Sequence, residues 1–195
     1  MGAHNIARTF VLVHGAWHGA WCWRRVEGLL RRHGHRVYCP TLTGVADRSH
    51  LLAPSVDLDT HIADIANVIA WEDLSNIVLV GHSYAGFVIS GVAERLGASA
   101  ISAMVFVDAF VPQDNDNLIG SITTPALRQF LEGFVSRGEI GAKPPPASAF
   151  KVNGKDRDWV DSKCTPHPVA SLTQRIPQSS PHFGIREQSA EGSCL

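Results

Sequence analysis

Ile77-Val78-Leu79-Val80-Gly81-His82-Ser83-Tyr84-Ala85-Gly86 is the stretch whose reading decides the fold. Four consecutive apolar residues without a polar interruption read as a strand buried on both faces. Phe87, Val88, Ile89, Val92 and Leu96, which follow, read as a helix packed on nearly all sides. Ser83 then occupies a sharp turn between strand and helix. A turn of this kind pushes the hydroxyl out at the carboxyl end of the sheet and aims the helix amino terminus at the same spot, the geometry of a nucleophile elbow. Strained backbone at the serine needs small neighbours two residues away on each side, and Gly81 and Ala85 supply them. The usual pattern has glycine at the second place; here Gly86 stands next to it.

Working outward, Thr9 to Val13 reads as a first strand running into the loop His14-Gly15-Ala16-Trp17-His18-Gly19. Glycines that bracket a loop after a buried strand let backbone N–H groups face a ligand without side-chain obstruction. A helix follows, with Cys22, Val26, Leu29 and Leu30 on one face, arginines on its solvated outer face, and Gly34 at its end. Arg36 to Cys39 is a second strand, stopped by Pro40. Asp57 is the expected N-cap of a second helix whose apolar face is Leu58, Ile62, Ile65, Ala66 and Ile69, with His61 beside it as a structural histidine. Beyond the elbow, Met104 to Asp108 forms a fourth strand. The alternation of strand and helix predicts an α/β fold, a doubly wound parallel sheet with covering helices, over residues 1–112.

From Gln113 the character changes. Pro125 to Val135 can form one amphipathic helix, Lys143-Pro144-Pro145-Pro146 breaks the chain, a short helix fits Arg157 to Lys163, and prolines bracket His167. Residues 113–176 are therefore expected to form a small helical lid over the strand ends, the alternative being a loosely packed surface subdomain. Residues 177–195 are polar and expected to be disordered.

At 195 residues, 45% hydrophobic and 18% charged, the chain suits one domain with a sizeable core. A net charge of -1 gives no electrostatic footprint for nucleic acid or an anionic membrane. Apolar runs are too short to span a bilayer and no leader-like cleavage site follows the first, so a cytoplasmic location is expected. Cys22, Cys39, Cys164 and Cys194 lack paired spacing; Cys22 and Cys39 read as buried thiols. His14 and His18 could tempt a metal reading, but no carboxylate or cysteine completes a ligand set, and no cofactor is expected.

Three separated segments carry a resemblance: Phe10 to Gly19 with Trp23, Pro40-Thr41-Leu42-Thr43-Gly44 with Arg48-Ser49-His50-Leu51, and Val80-Gly81-His82-Ser83. Val105 to Phe110 and Thr165-Pro166-His167-Pro168 add to it. The chain resembles the α/β-hydrolases, within them the compact group that contains salicylate methylesterases and hydroxynitrile lyases. The resemblance implies that Ser83 is the nucleophile of an acyl-enzyme mechanism on small carboxylic esters. It implies an oxyanion hole from the backbone N–H groups of Ala16 and Tyr84, and a pocket shaped by the side chains of Trp17 and Tyr84.

That group supplies an acid and then a histidine after later strands, and neither has a matching position after Thr173. Asp108, at the end of the fourth strand, and His182, in the polar tail, are the substitutes the chain offers as acid and base. The expectation is a shortened member whose tail arises by a frameshift near Pro177, with impaired activity and self-association through an uncovered sheet edge. Two alternatives stay open: a non-catalytic module that binds a small apolar ligand in the retained pocket, and a cyanohydrin-type lyase.

Overall fold

The computed structural model describes residues 7–97, 100–113 and 115–176. Its main sheet is built from β1 (Thr9–Val13), β2 (Arg36–Tyr38), β3 (Ile77–His82) and β4 (Ile101–Val107), in the order β2-β1-β3-β4 with every pairing parallel. The chain steps from β1 outward to β2 and then back across β1 to β3. The order therefore reverses between β1 and β3, and the crevice beyond their carboxyl ends is where such sheets bind ligands. Both the His14–Gly19 loop and the Ser83 turn leave the sheet there.

Side chains alternate between the two faces as the pleat requires. Val11, Val13, Ile77 and Leu79 enter the larger core with α2 (Leu58–Trp71) and α3 (Ala85–Leu96). Leu12, Val78 and Val80 enter a smaller one with Trp23, Val37 and Leu30 of α1 (Arg24–Arg32). Asp57 caps α2 in a capping box: its carboxylate accepts from Thr60 N at 2.9 Å while the Thr60 side chain accepts from Asp57 N.

The first helix departs from expectation. Ala20–Trp23 forms a 3₁₀ turn before α1 begins, and Val26 and Leu29 are 39% and 49% exposed. A 3₁₀ residue advances about 20° further round the axis than an α-helical one, so the turn rotates the face predicted for a continuous helix and leaves Leu30 as its inward residue. Cys22 and Cys39 are partly rather than fully buried; both pack against the smaller core, and burial pushes the Cys39 thiol up to about 12. β4 starts three residues earlier than its apolar run, because a bulge opposite Ile77 and Val78 admits Ser102, whose hydroxyl donates to Ile77 O at 2.8 Å.

Beyond β4 come α4 (Leu118–Ser121), α5 (Pro125–Ser136), β5 (Gly141–Ala142), α6 (Arg157–Lys163), β6 (His167–Pro168) and α7 (Val169–Thr173). Leu131, Phe134, Val169 and Leu172 join the larger core, and β5 and β6 pair antiparallel. The tail 177–195 lies outside the described residues. No helix of the described residues is long and apolar enough to cross a membrane.

Candidate active site

Ser83 takes φ +53 between the last residue of β3 and the helix α3, a left-handed conformation that a non-glycine residue adopts only under constraint. The constraint is visible in its backbone. Ser83 N donates to Val107 O at 3.2 Å, and Ser83 O accepts from Phe110 N at 3.1 Å and from Gly86 N at 3.1 Å. Two glycines make room for the turn. A Cβ on Gly81 would stand 2.8 Å from Ala85 O, and one on Gly86 would run into the Phe110 carbonyl oxygen. Ala85 itself fits, so the residue that must be small after the turn is Gly86.

The loop after β1 lies against this turn. A Cβ on Gly15 would come 3.0 Å from Ser83 Cβ and 2.9 Å from His82 Nδ1, so only glycine allows the approach. The two amides expected to face an oxyanion, those of Ala16 and Tyr84, donate to no acceptor among the described residues. Ala16 and Tyr84 are 4% and 0% exposed, and buried backbone donors without a partner are rare. Tyr84 also stands at the N-cap of α3, where the helix dipole favours negative charge.

Histidines line the rear of both elements, and their partners fix their tautomers. His14 Nε2 accepts from Leu42 N at 3.0 Å, so its Nδ1 donates to Gly15 O at 2.9 Å. His18 Nδ1 donates to Ala16 O at 2.8 Å. His61 Nε2 donates to Thr43 O at 2.9 Å, which leaves Nδ1 to accept from the Tyr84 hydroxyl at 2.8 Å. His167 Nδ1 accepts from Trp17 N at 3.3 Å, so Nε2 donates to Ser171 Oγ at 3.0 Å and that hydroxyl donates to Pro168 O at 2.8 Å. Burial disfavours the charged form of each: His14 is lowered to about 3 and His82 to about 4, and His18, His61 and His167 are lowered as well. No group of three His, Cys, Asp or Glu among the described residues could hold a metal.

The side chains expected to shape a pocket are committed to protein partners. Trp17 is 6% exposed and donates from Nε1 to Ala142 O at 2.9 Å; Tyr84 is enclosed between His61 and the His167 ring, 4.7 Å away. Asp108 takes φ +43 directly after β4 and is exposed. Among the described residues no histidine hydrogen-bonds to Asp108 or to the Ser83 hydroxyl, and His167 has neither ring nitrogen free to do so. His182 lies outside the described residues. No local pattern points to the histidine clamp on the loop beyond the bracketing of His167 by Pro166 and Pro168.

Comparison with known proteins agrees with this fold. The pattern of the alpha/beta hydrolase family matches residues 10–185. A carbendazim-hydrolyzing esterase of a Nocardioides species is 45% identical over 171 residues, covering 84% of this chain and 70% of the esterase. Methyl jasmonate esterase 1 of Vitis vinifera is 37% identical over 149 residues, covering 72% of this chain and 55% of that protein. Among solved structures, an extracellular alpha/beta-hydrolase from a Paenibacillus species superposes with a TM-score of 0.80 at 24% identity, over 93% of this chain and 76% of that one.

Proposed function

The chain belongs to the alpha/beta hydrolase family, and from that premise we propose that it is a serine hydrolase of small carboxylic esters, with Ser83 as nucleophile. The observation that carries the reading is the turn at Ser83, strained to φ +53 and packed against the loop after β1, in which the buried Ala16 amide, like that of Tyr84, has no acceptor among the described residues. In this reading the hydroxyl attacks the ester carbonyl, and the amides of Ala16 and Tyr84 receive the oxyanion. The alcohol leaves, and water then releases the acid from the acyl-enzyme. One relative is named for hydrolysing carbendazim and another for methyl jasmonate, which supports esters of modest size as the substrate class.

The proposed acid and base are Asp108, directly after β4, and His182, which lies outside the described residues. The test is hydrolysis of p-nitrophenyl acetate by the wild-type chain, Ser83→Ala and His182→Ala. The reading expects turnover that vanishes in Ser83→Ala and falls by on the order of 10⁴ or more in His182→Ala. Equal turnover in wild type and Ser83→Ala defeats it. A second reading, a ligand-binding module without catalysis, is favoured by the absence of an imidazole hydrogen bond to Ser83 among the described residues. It expects saturable binding of a small apolar ester with no turnover above the Ser83→Ala protein.

A further inference from the structure

We infer that His167 is a positioning residue for the oxyanion hole, the point through which the segment after β4 sets the loop that carries Ala16. The inference rests on the reading of Ala16 and Tyr84 as the oxyanion donors.

Trp17 takes φ +67. A bulky residue is rarely found there, and the conformation persists only where its surroundings impose it. All three polar atoms of Trp17 are bonded to the segment beyond β4. Its N–H donates to His167 Nδ1 at 3.3 Å, its carbonyl accepts from Thr165 N at 3.1 Å, and its indole N–H donates to Ala142 O at 2.9 Å. Ala142 and His167 are themselves partners in the β5–β6 ladder. One short ladder thus holds the strained residue from two sides.

Two successive peptide planes transmit the constraint. The plane between Ala16 and Trp17 is clamped at both ends: His18 donates to Ala16 O at 2.8 Å and His167 accepts from Trp17 N. The plane before it carries the Ala16 N–H, and its own carbonyl, that of Gly15, accepts from His14 at 2.9 Å. With its carbonyl end fixed and the following plane fixed, the Ala16 N–H has one direction left to it. His167 reaches the second donor as well, since its ring packs edge-on against Tyr84 at 4.7 Å and lies 5.6 Å from His61, which holds the Tyr84 hydroxyl. Ser171 completes the device: by accepting from Nε2 it keeps Nδ1 an acceptor, the role the Trp17 amide needs.

The consequence is a division of labour. His167 touches no substrate, yet it decides where an amide that does touch it points. Removing the acceptor should weaken stabilisation of the tetrahedral intermediate while leaving ground-state binding alone, a loss in kcat at constant KM.

The experiment compares wild type, His167→Leu, His167→Gln and Ser171→Ala, with Ser83→Ala as the blank. It measures kcat and KM for p-nitrophenyl acetate and the backbone amide resonances of residues 16, 17 and 84. The expected result for His167→Leu is a fall in kcat of about tenfold or more with KM within about twofold, since deleting an oxyanion donor outright costs about 10²–10³. His167→Gln, which keeps an acceptor, should recover part of it. The amide signals of Ala16, Trp17 and Tyr84 should shift together while the strands of the sheet stay in place. If His167→Leu does not fold, Ser171→Ala is read in its place, with a fall in kcat of about fivefold, the equivalent of one hydrogen bond. Unchanged kcat in a folded variant, or equal changes in kcat and KM, overturns the inference. Absence of Ser83-dependent turnover in the wild type defeats the hydrolase reading instead. The oxyanion role then falls with that reading, while the setting of the Ala16 loop by His167 stands if the three amides move together in the variant and falls if Trp17 moves alone.

Discussion

At Ser83 the backbone is held by three hydrogen bonds, and the cost of its left-handed φ, about 1–3 kcal/mol for such a residue, is met by the packing around it. Gly86 is the tightest point in that packing, because the Phe110 carbonyl occupies the space a Cβ would need and the Phe110 N–H holds Ser83 O. Gly86→Ala is expected to lose about 2–3 kcal/mol, or more if the loop after β4 cannot yield, and to lower ester turnover with it. Gly28→Ala is the matched control. It sits within α1, a Cβ there meets only Arg32 Nη1 at 3.5 Å, and a gain of about 0.5–1 kcal/mol is expected. Urea unfolding of both variants checks the pair, and equal effects would contradict the account of the elbow.

At the scale of elements, α1 and the segment before α6 are tied by one ion pair. Arg25 donates from Nη1 and Nη2 to the two Asp156 oxygens at 2.9 and 2.7 Å, Asn153 Nδ2 adds a third bond at 2.8 Å, and the Asp156 side chain is 10% exposed. These donors hold the Asp156 carboxyl well below the usual carboxylate range. A depressed carboxylate stabilises the folded state fully above its unfolded pKa, and that contribution is lost as pH falls toward the folded value. Asp156→Asn is therefore expected to be less stable than wild type at pH 7, with the gap closing progressively below about pH 4. Thermal unfolding at several pH values checks this; a gap that widens in acid would contradict it.

The same scale explains what the residues reveal in advance and what they do not. The strands β1, β3 and β4, the helices α2, α3, α5 and α6, and the turn at Ser83 each follow from a local pattern: an apolar run, a 3.6-residue stripe, a cap or a proline. The β5–β6 ladder has two residues per strand and no period to detect. The bond from Trp17 to His167 joins residues 150 positions apart, and only tertiary packing brings such a donor and acceptor together. Even α1 misled through its approach, because a 3₁₀ turn and an α-helix carry the same apolar residues with different phase. Of the proposed site, the turn at Ser83 and the glycine-bracketed loop after β1 follow from local pattern; the roles of Ala16 and Tyr84 come only from the family resemblance, and the clamp behind them from neither.

Across the whole molecule, the interior around the site is charge-neutral only while its histidines are unprotonated. His14, His18, His61, His82 and His167 all have pKa values lowered by burial, to about 3 for His14 and about 4 for His82. In the unfolded chain each binds a proton near pH 6.5, so below that pH the unfolded state holds more protons and stability falls with acidity. Each histidine contributes a slope of about 1.4 kcal/mol per pH unit between its unfolded and folded pKa values. The urea midpoint is expected to drop steadily from pH 6.5 toward pH 4, with several protons taken up on unfolding near pH 5. A midpoint that holds level over that interval would contradict burial of these rings as neutral groups.

The central claim is that the oxygen of Ser83 works between two amides supplied by separate parts of the chain. Its most direct test is a crystal structure of the protein after reaction with a small alkyl fluorophosphonate. The account predicts a single adduct on Ser83 whose phosphoryl oxygen lies about 2.7–3.1 Å from both Ala16 N and Tyr84 N. An adduct oxygen turned away from either amide, or a Ser83 that the reagent leaves unmodified, would contradict it.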